Sequence, residues 1–152
     1  MIDGTTFILL TEEDEKKIGT YDEYHVTGAA INENGECISI SSQTWSATRN
    51  RFCGNCTGKC SYGGATWTRE DYRFKGIFTA LFLWTKRQAG LDRTYVSKSW
   101  DLHKVLADKY GLIYPEDKSL LESRAKTKED LLYVLDLADK ITNLVQEKMA
   151  QQ

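Results

Sequence analysis

Residues 67–81 run Trp67-Thr-Arg-Glu-Asp-Tyr-Arg-Phe-Lys-Gly-Ile-Phe-Thr-Ala-Leu81, and the chain changes its period inside this stretch. Leading into it, Gly63 to Arg69 (GGATWTR) has the β-branched and aromatic residues of a strand. After Gly76, Ile77, Leu81 and Trp84 recur at helical spacing with Ala80 and Phe82 on the adjoining flank, and the pattern stops near Gly90. A strand that turns through a glycine into a helix makes a trap for anions. The first N–H groups of a helix have no internal acceptor and sit at the positive end of its dipole. Residues 74–79 are therefore expected to surround a diphosphate, with Arg73 and Lys75 adding full charges. Gly76 lets the backbone approach such a ligand because no Cβ intervenes.

Toward the N-terminus, Thr5 to Leu10 reads as a short buried strand, and Thr11-Glu-Glu-Asp14 resembles a capping box for a brief helix stopped by Gly19. Tyr24 to Asn32 and Glu36 to Trp45 are β-like and flank Asn34-Gly35, a dipeptide that permits positive φ at both centres of a tight hairpin turn. Toward the C-terminus, Arg93 to Ser97 is a strand. Trp100, His103, Val105, Leu106 and Tyr110 then fit a helix closed by Gly111, and Leu112 to Tyr114 a short strand stopped by Pro115. Lys128 to Met149 is a long helix with Leu131, Leu135, Ala138, Ile141 and Val145 along one face. Strands joined through helices prefer the parallel right-handed crossover. The expected fold class is α/β, a mixed sheet flanked by helices with a long C-terminal helix, in a single domain over 1–152.

The 152 residues are 41% hydrophobic and 28% charged with one proline, which fits a globular domain with a full core and excludes a disordered tail. No apolar run approaches the roughly 20 residues of a membrane span. The acidic start lacks a basic leader, so a cytoplasmic setting is the expectation. Net charge is −2, yet residues 1–40 hold two lysines against nine acids while residues 41–100 hold ten Lys and Arg against three acids. A basic middle inside an acidic chain points to an anionic partner, either a phosphate-bearing cofactor or a nucleic acid.

The segment Glu70-Asp-Tyr-Arg73-Phe-Lys-Gly76-Ile resembles the diphosphate loop of motif A in the GNAT family of acyl-CoA-dependent N-acetyltransferases. The likeness continues through the helix after Gly76, the strand Arg93–Ser97 and the helix containing Leu102 to Gly111, which looks like the family's motif B. In all it spans residues 63 to 115. The resemblance implies a GNAT-like fold and transfer of an acetyl group from acetyl-CoA to an amine acceptor. It implies that Arg73, Phe74, Lys75, Gly76, Ile77, Phe78 and Thr79 bind the cofactor's diphosphate. The backbone of Thr66, Trp67 and Thr68 would pair with the pantetheine arm, with the acetyl group near Thr68 and Ser97. Three positions depart from the family pattern: Phe78 stands where Gly or Ala is usual, Ala107 aligns with the tyrosine that protonates the thiolate, and Trp100 with an asparagine. Tyr110, Ser99 or His103 could supply the acid instead, and Glu70 is the acid nearest the loop.

All four cysteines fall between residues 37 and 60. The run Cys53-Gly-Asn-Cys56-Thr-Gly-Lys-Cys60 has spacings that suit thiolates around one metal, and Cys37 could add a fourth ligand. Zinc is the simplest candidate and an iron-sulfur cluster the second. Such a site would staple a loop, 53–60, inserted before the fourth strand, with residues 117–152 forming a helical extension beyond the family match. His25-Val-Thr27 resembles half of a two-histidine phosphoesterase pair, but His103-Lys-Val105 is not the other half. Arg49, Arg51, Lys59, Arg69, Arg73 and Lys75 interleave with Trp45, Phe52, Tyr62, Trp67 and Phe74. That mixture supports an alternative, a non-catalytic module that binds nucleic acid or nucleoprotein and is stabilised by a cysteine-bound metal. The terminal helix is long enough to pack across a second copy in a homodimer.

Overall fold

The computed structural model describes residues 4–44, 60–61, 65–90, 93–94 and 128–152. Strand β1 (Thr6–Leu9) is followed by helix α1 (Glu12–Ile18), strands β2 (His25–Ile31) and β3 (Cys37–Thr44), and the short strands β4 (Cys60–Ser61) and β5 (Thr66–Thr68). A 3-10 turn at Glu70–Tyr72 leads to helix α2 (Ile77–Gln88), then strand β6 (Arg93–Thr94) and helix α3 (Lys128–Ala150). Strands β1, β2, β3 and β5 form an antiparallel sheet in that order, while β4 and β6 pair in parallel as a separate two-stranded sheet. The mixed pairing agrees with the expected fold class. The expected helix over Trp100–Tyr110 and strand over Leu112–Tyr114 lie outside the described residues.

Helix α1 forms where its capping signals place it. Thr11 Oγ1 accepts from Asp14 N at 3.1 Å and Asp14 Oδ2 accepts from Thr11 N at 3.2 Å, so two terminal donors are satisfied reciprocally. The hairpin differs from the expected two-residue turn. Asn32 N donates to Glu36 O and Gly35 N to Asn32 O, which leaves a three-residue loop with left-handed Gly35 at its end. The Asn32 side chain selects this longer loop by accepting from both Asn34 N and Glu36 N.

The sheet separates two apolar clusters. On one side, Ala30 and Ile38 pack with Ile77 and Leu81 of α2, joined by Phe7, Tyr72 and Trp84. On the other, Ala29, Ile31, Cys37 and Ile40 pack with Val134, Leu137, Ala138, Ile141 and Leu144 of α3. Cys37 and Ile40 are three residues apart and would face opposite ways in a regular strand. A register shift beside Ala30/Ile31 brings them to the same face. Each such large side chain removed from water contributes on the order of 1.5–3 kcal/mol.

Two expected faces are corrected by this packing. Leu131 and Leu135 are 52% and 40% exposed, because the stripe that meets the sheet runs through Val134, Leu137, Ile141 and Leu144. That stripe is set by polar ties as well: Cys37 N donates to Thr142 Oγ1, and Lys148 Nζ pairs with Asp14 at 2.7 Å. In α2, Ala80 is exposed, and Thr85 occupies the buried position instead.

Thr85 fixes how close α2 comes. Gly28 of β2 faces it, and a Cβ there would overlap Thr85 Oγ1, itself a buried hydroxyl with no hydrogen-bond partner among the described residues. Gly28→Ala should therefore destabilise the protein by about 2 kcal/mol or more. Thr85→Ala alone should cost less than about 1 kcal/mol, since no bond is lost, and should recover part of the Gly28→Ala loss in the double variant. Urea unfolding of the four proteins measures this; additive losses would show that the two residues do not meet.

Candidate functional site

Strand β5 has three residues and one strand neighbour. Its partner β3 is bonded at Thr66↔Ser41, Trp67↔Ile40 and Thr68↔Ser39. Ser42 N donates to Ala65 O and Arg69 N donates to Ile38 O, so the odd-numbered residues turn their main-chain groups toward β3. By alternation Thr66 and Thr68 turn theirs to the opposite edge, where no strand pairs among the described residues. Upstream, Cys60↔Arg93 and Ser61↔Thr94 belong to the parallel sheet. The chain thus pairs with β6 at Cys60–Ser61 and with β3 at Thr66–Thr68.

Two serines of β3 hold β5 in place. Ser39 Oγ donates to Trp67 O at 2.8 Å and lies 2.9 Å from Thr68 Oγ1, while Ser42 Oγ accepts from Ala65 N at 2.6 Å. Sequence reasoning missed this clamp, although the run Ser39, Ser41 and Ser42 inside a buried strand was a visible signal.

Beyond β5 the chain makes the 3-10 turn and enters a strained loop. Phe74, with φ 62°, is the one non-glycine residue at positive φ among the described residues, and its ring is fully exposed. Gly76 follows at φ 80°, in the left-handed region, as the residue before α2. Nothing lies within 4 Å of where its Cβ would be, so glycine is needed here for backbone conformation rather than for space. The helix has no side-chain cap and no acid in its first turn, and its first internal bond runs from Ala80 N to Gly76 O. Ile77, Phe78 and Thr79 form that first turn.

The cations around the loop are held in different ways, Arg69 by carboxylates and a ring, Lys75 over the same ring, and Arg73 by a main-chain carbonyl. Tyr72 lies between the Arg69 guanidinium, 4.9 Å from the ring centre, and Lys75 Nζ at 5.5 Å. Tyr72 Oη accepts from Asn32 Nδ2 at 3.4 Å, which ties the turn to the β2–β3 hairpin. Arg69 also grips Asp71 through two bonds of 2.8 and 3.0 Å, and this contact holds the Asp71 carboxyl below its ordinary range. Arg73 Nε donates to Thr68 O at 3.0 Å, so one of its five donors is taken by the open strand edge. Glu70 sits exposed on the 3-10 turn.

The structure thus brings Thr66, Trp67, Thr68, Arg73, Phe74, Lys75, Gly76, Ile77, Phe78 and Thr79 together at one end of the sheet. It does not do the same for the cysteines. Cys37 is 4% exposed within the α3-side cluster, and its thiol points at Ser39 O, 3.6 Å away. Burial pushes that thiol up to about 12, with the weak bond to Ser39 acting the other way. Cys37, the expected fourth ligand, thus sits as a buried thiol within the α3-side cluster. Cys53, Cys56, Ser99, His103 and Tyr110 lie outside the described residues, as does the side chain of Cys60. Among the described residues, no group of three His, Cys, Asp or Glu could hold a metal ion, and no helix is long and apolar enough to cross a membrane.

Neither a protein-family model nor a curated protein matches the sequence. Solved structures match in shape. The aminoglycoside N-acetyltransferase AAC(6')-Iy in complex with CoA superposes with a TM-score of 0.54 at 10% identity, covering 74% of this chain and 90% of that one. The aminoglycoside 6'-N-acetyltransferase AAC(6')-Ih from Acinetobacter baumannii gives 0.51 at 12% identity, over 75% and 94%. A possible acetyltransferase from Clostridium difficile gives 0.50 at 15%, over 76% and 93%.

The placement of Cys37 yields a direct test. Iodoacetamide at pH 8 should leave Cys37 unmodified in the native protein and label it in urea, as read by peptide mass spectrometry, because the thiolate fraction is about one in 10⁴. Equal labelling in both states would remove Cys37 from the core. Taken together, the strand order, the flanking helices and the three superpositions show that this chain has the fold of the GNAT-type acetyltransferases.

Proposed function

We propose that this protein is an acyl-CoA-dependent N-acetyltransferase whose acceptor is a primary amine. The observation that carries the reading is the junction of two backbone features: the outer edge of β5 at Thr66 and Thr68, where no strand pairs among the described residues and Arg73 Nε meets Thr68 O, and the start of α2 after Gly76, which has no side-chain cap. The helix start, with Lys75 and the remaining donors of Arg73, would take the diphosphate. Phe74 offers an exposed π-face beside those charges for the adenine ring. The pantetheine arm would then run along β5 from Thr68 toward Thr66 as an added strand, which carries the thioester toward Ala65 rather than leaving it near Thr68.

Transfer requires a neutral amine, a main-chain N–H on the thioester oxygen and a proton for the departing thiolate. Tyr110 and Ser99 are the candidates for that last role, and exposed Glu70 is the carboxylate nearest the loop. The nine acids among the first forty residues would favour a cationic amine. Aminoglycosides, named with several of the matched proteins, are the first acceptors to assay.

Calorimetry with CoA tests the reading. The natural protein should bind, and Gly76→Asp should weaken binding at least tenfold at a stability cost of about 1 kcal/mol for the left-handed conformation. Aspartate tolerates positive φ and caps helices, yet it puts a carboxylate where the diphosphate belongs. Phe74→Gly should raise stability by about 1 kcal/mol by removing left-handed strain, while lowering CoA affinity several-fold. Unchanged affinity in both variants, or no binding by the natural protein, rejects the loop assignment. A non-catalytic module would bind without releasing thiol from acetyl-CoA.

The spacing of Cys53, Cys56 and Cys60 supports a separate proposal, a metal-stapled loop with zinc as the favoured ion and an iron-sulfur cluster as second choice. Anaerobically purified protein should carry about one equivalent of zinc or iron by elemental analysis. Less than about half an equivalent counts against the staple.

A further inference from the structure

At the end of β2, away from the diphosphate loop, three side chains meet around a buried carboxylate. Glu15 on α1 is 3% exposed, and its Oε1 accepts from Thr27 Oγ1 at 2.7 Å. His25 Nε2 lies 2.9 Å from Thr27 Oγ1 and 3.3 Å from Glu15 Oε1, and His25 Nδ1 lies 3.3 Å from Thr44 Oγ1. The proton positions follow from counting. A hydroxyl has one hydrogen, and that of Thr27 is given to Glu15, so Nε2 must be the donor to Thr27. The neutral imidazole therefore carries its lone pair on Nδ1, on the side of Thr44. A buried carboxylate that fixes an imidazole in one tautomer, with the other nitrogen left basic, is the arrangement used to make histidine a general base.

Its position suits the proposed reaction. His25 pairs with Thr44 across the β2–β3 ladder, and Ser42 is bonded to Ala65 by main chain and side chain. His25, Thr44, Ser42 and Ala65 share one face of the sheet by alternation. From strand spacings of about 4.8 Å and about 3.3 Å per residue, the Cα atoms of His25 and Ala65 are roughly 12 Å apart. The imidazole is partly exposed, at 18%. That face also carries the α3-side cluster, against which Ala65 packs, and Ser42 is buried, so an acceptor amine would reach the ring from its exposed side, at the Thr44 end.

Resting on the acyl-CoA reading above, we propose that His25 is the general base for the acceptor amine and Glu15 its positioning residue. The substrate ammonium gives one proton to His25 Nδ1. The neutral nitrogen attacks the thioester carbonyl, forming the C–N bond. As the C–S bond breaks, the second nitrogen proton passes to the departing sulfur, giving amide and CoA thiol. The imidazolium, stabilised by Glu15, returns its proton to solvent. Glu15 from α1 is the charged group against the ring, with the hydroxyls of Thr27 and Thr44 beside it and Asp22, Glu23 and Tyr24 in the segment leading into β2.

The test uses ethylamine, a nucleophile small enough to enter any acceptor pocket, with acetyl-CoA, and follows thiol release against pH beside CoA calorimetry. His25→Gln should lower the rate at least tenfold and abolish its rising limb through the imidazole range, with CoA affinity unchanged. Glu15→Gln keeps the shape and should lower kcat several-fold while leaving the KM for acetyl-CoA unchanged. If His25→Gln loses CoA binding, carbethoxylation of the natural protein replaces it, and inactivation must follow modification of His25 rather than His103. Should the natural protein bind CoA yet release thiol no faster than buffer, or His25→Gln keep its rate within threefold, the base is elsewhere and the CoA site stands. Failure of the natural protein to bind CoA removes both.

Discussion

A three-residue strand with one bonded neighbour is a weak element, and β5 stays in place because β3 spends its polar side chains on it. Strand β3 is buried along nearly its whole length although five of its eight residues are serine, threonine or glutamine. Buried hydroxyls cost free energy unless they find partners. Ser39 and Ser42 find theirs in the main chain of Trp67, in the middle of β5, and of Ala65, just before it. Each such bond contributes about 1 kcal/mol net. Because the clamp works from the β3 side, the strand stays in place although, among the described residues, no strand pairs with the far edge of Thr66 and Thr68.

The loop beyond β5 takes its shape from the same economy of contacts. Phe74 packs against nothing, yet it holds a conformation that costs an L-residue roughly 1–2 kcal/mol. A fold under selection for stability alone would place glycine there. Strain at an exposed ring is what the proposed adenine contact would account for. Gly76, two residues on, needs the left-handed region to start α2, and the Gly28–Thr85 contact presses α2 to the sheet. That pressure sets the height at which the helix start faces the end of β5.

Much of this was legible in the sequence, where local chemistry decides the outcome. The strand-to-helix change at Gly76 and the Thr11–Asp14 cap depend on neighbours a few residues away, and both formed as read. The Asn34-Gly35 turn did not, because Asn32 supplied a competing side-chain acceptor that propensity for a two-residue turn ignores. The burial of Cys37 on the α3 side follows from a register shift between β2 and β3 that no spacing reveals. The apolar stripe of α3 was misplaced by one position for the same reason. Leu131 and Leu135 satisfy helical periodicity, and only the docking of Thr142 and Lys148 shows which side meets the sheet. His25 was read as half of a missing motif, and its partner Glu15 came from a helix ten residues earlier.

Charge that is separated along the sequence is partly recombined in space, and the remainder is instructive. The acidic first forty residues supply Asp14 to Lys148 and Glu36 to Arg69, while Lys17 reaches Glu147. Asp14 shows the balance at such a pair: burial acts to raise its pKa, but the bonds from Lys148 and Thr11 prevail and hold it below the ordinary carboxylate range. At the α2 start the chain does something different. Lys75 is held over the Tyr72 ring and Arg73 against the Thr68 carbonyl, partners that fix position while leaving the charge whole. A ring quadrupole and a peptide dipole cannot neutralise an ammonium or a guanidinium as a carboxylate does. Two positive charges and a helix dipole thus meet at one exposed loop, the arrangement on which the proposed diphosphate site rests.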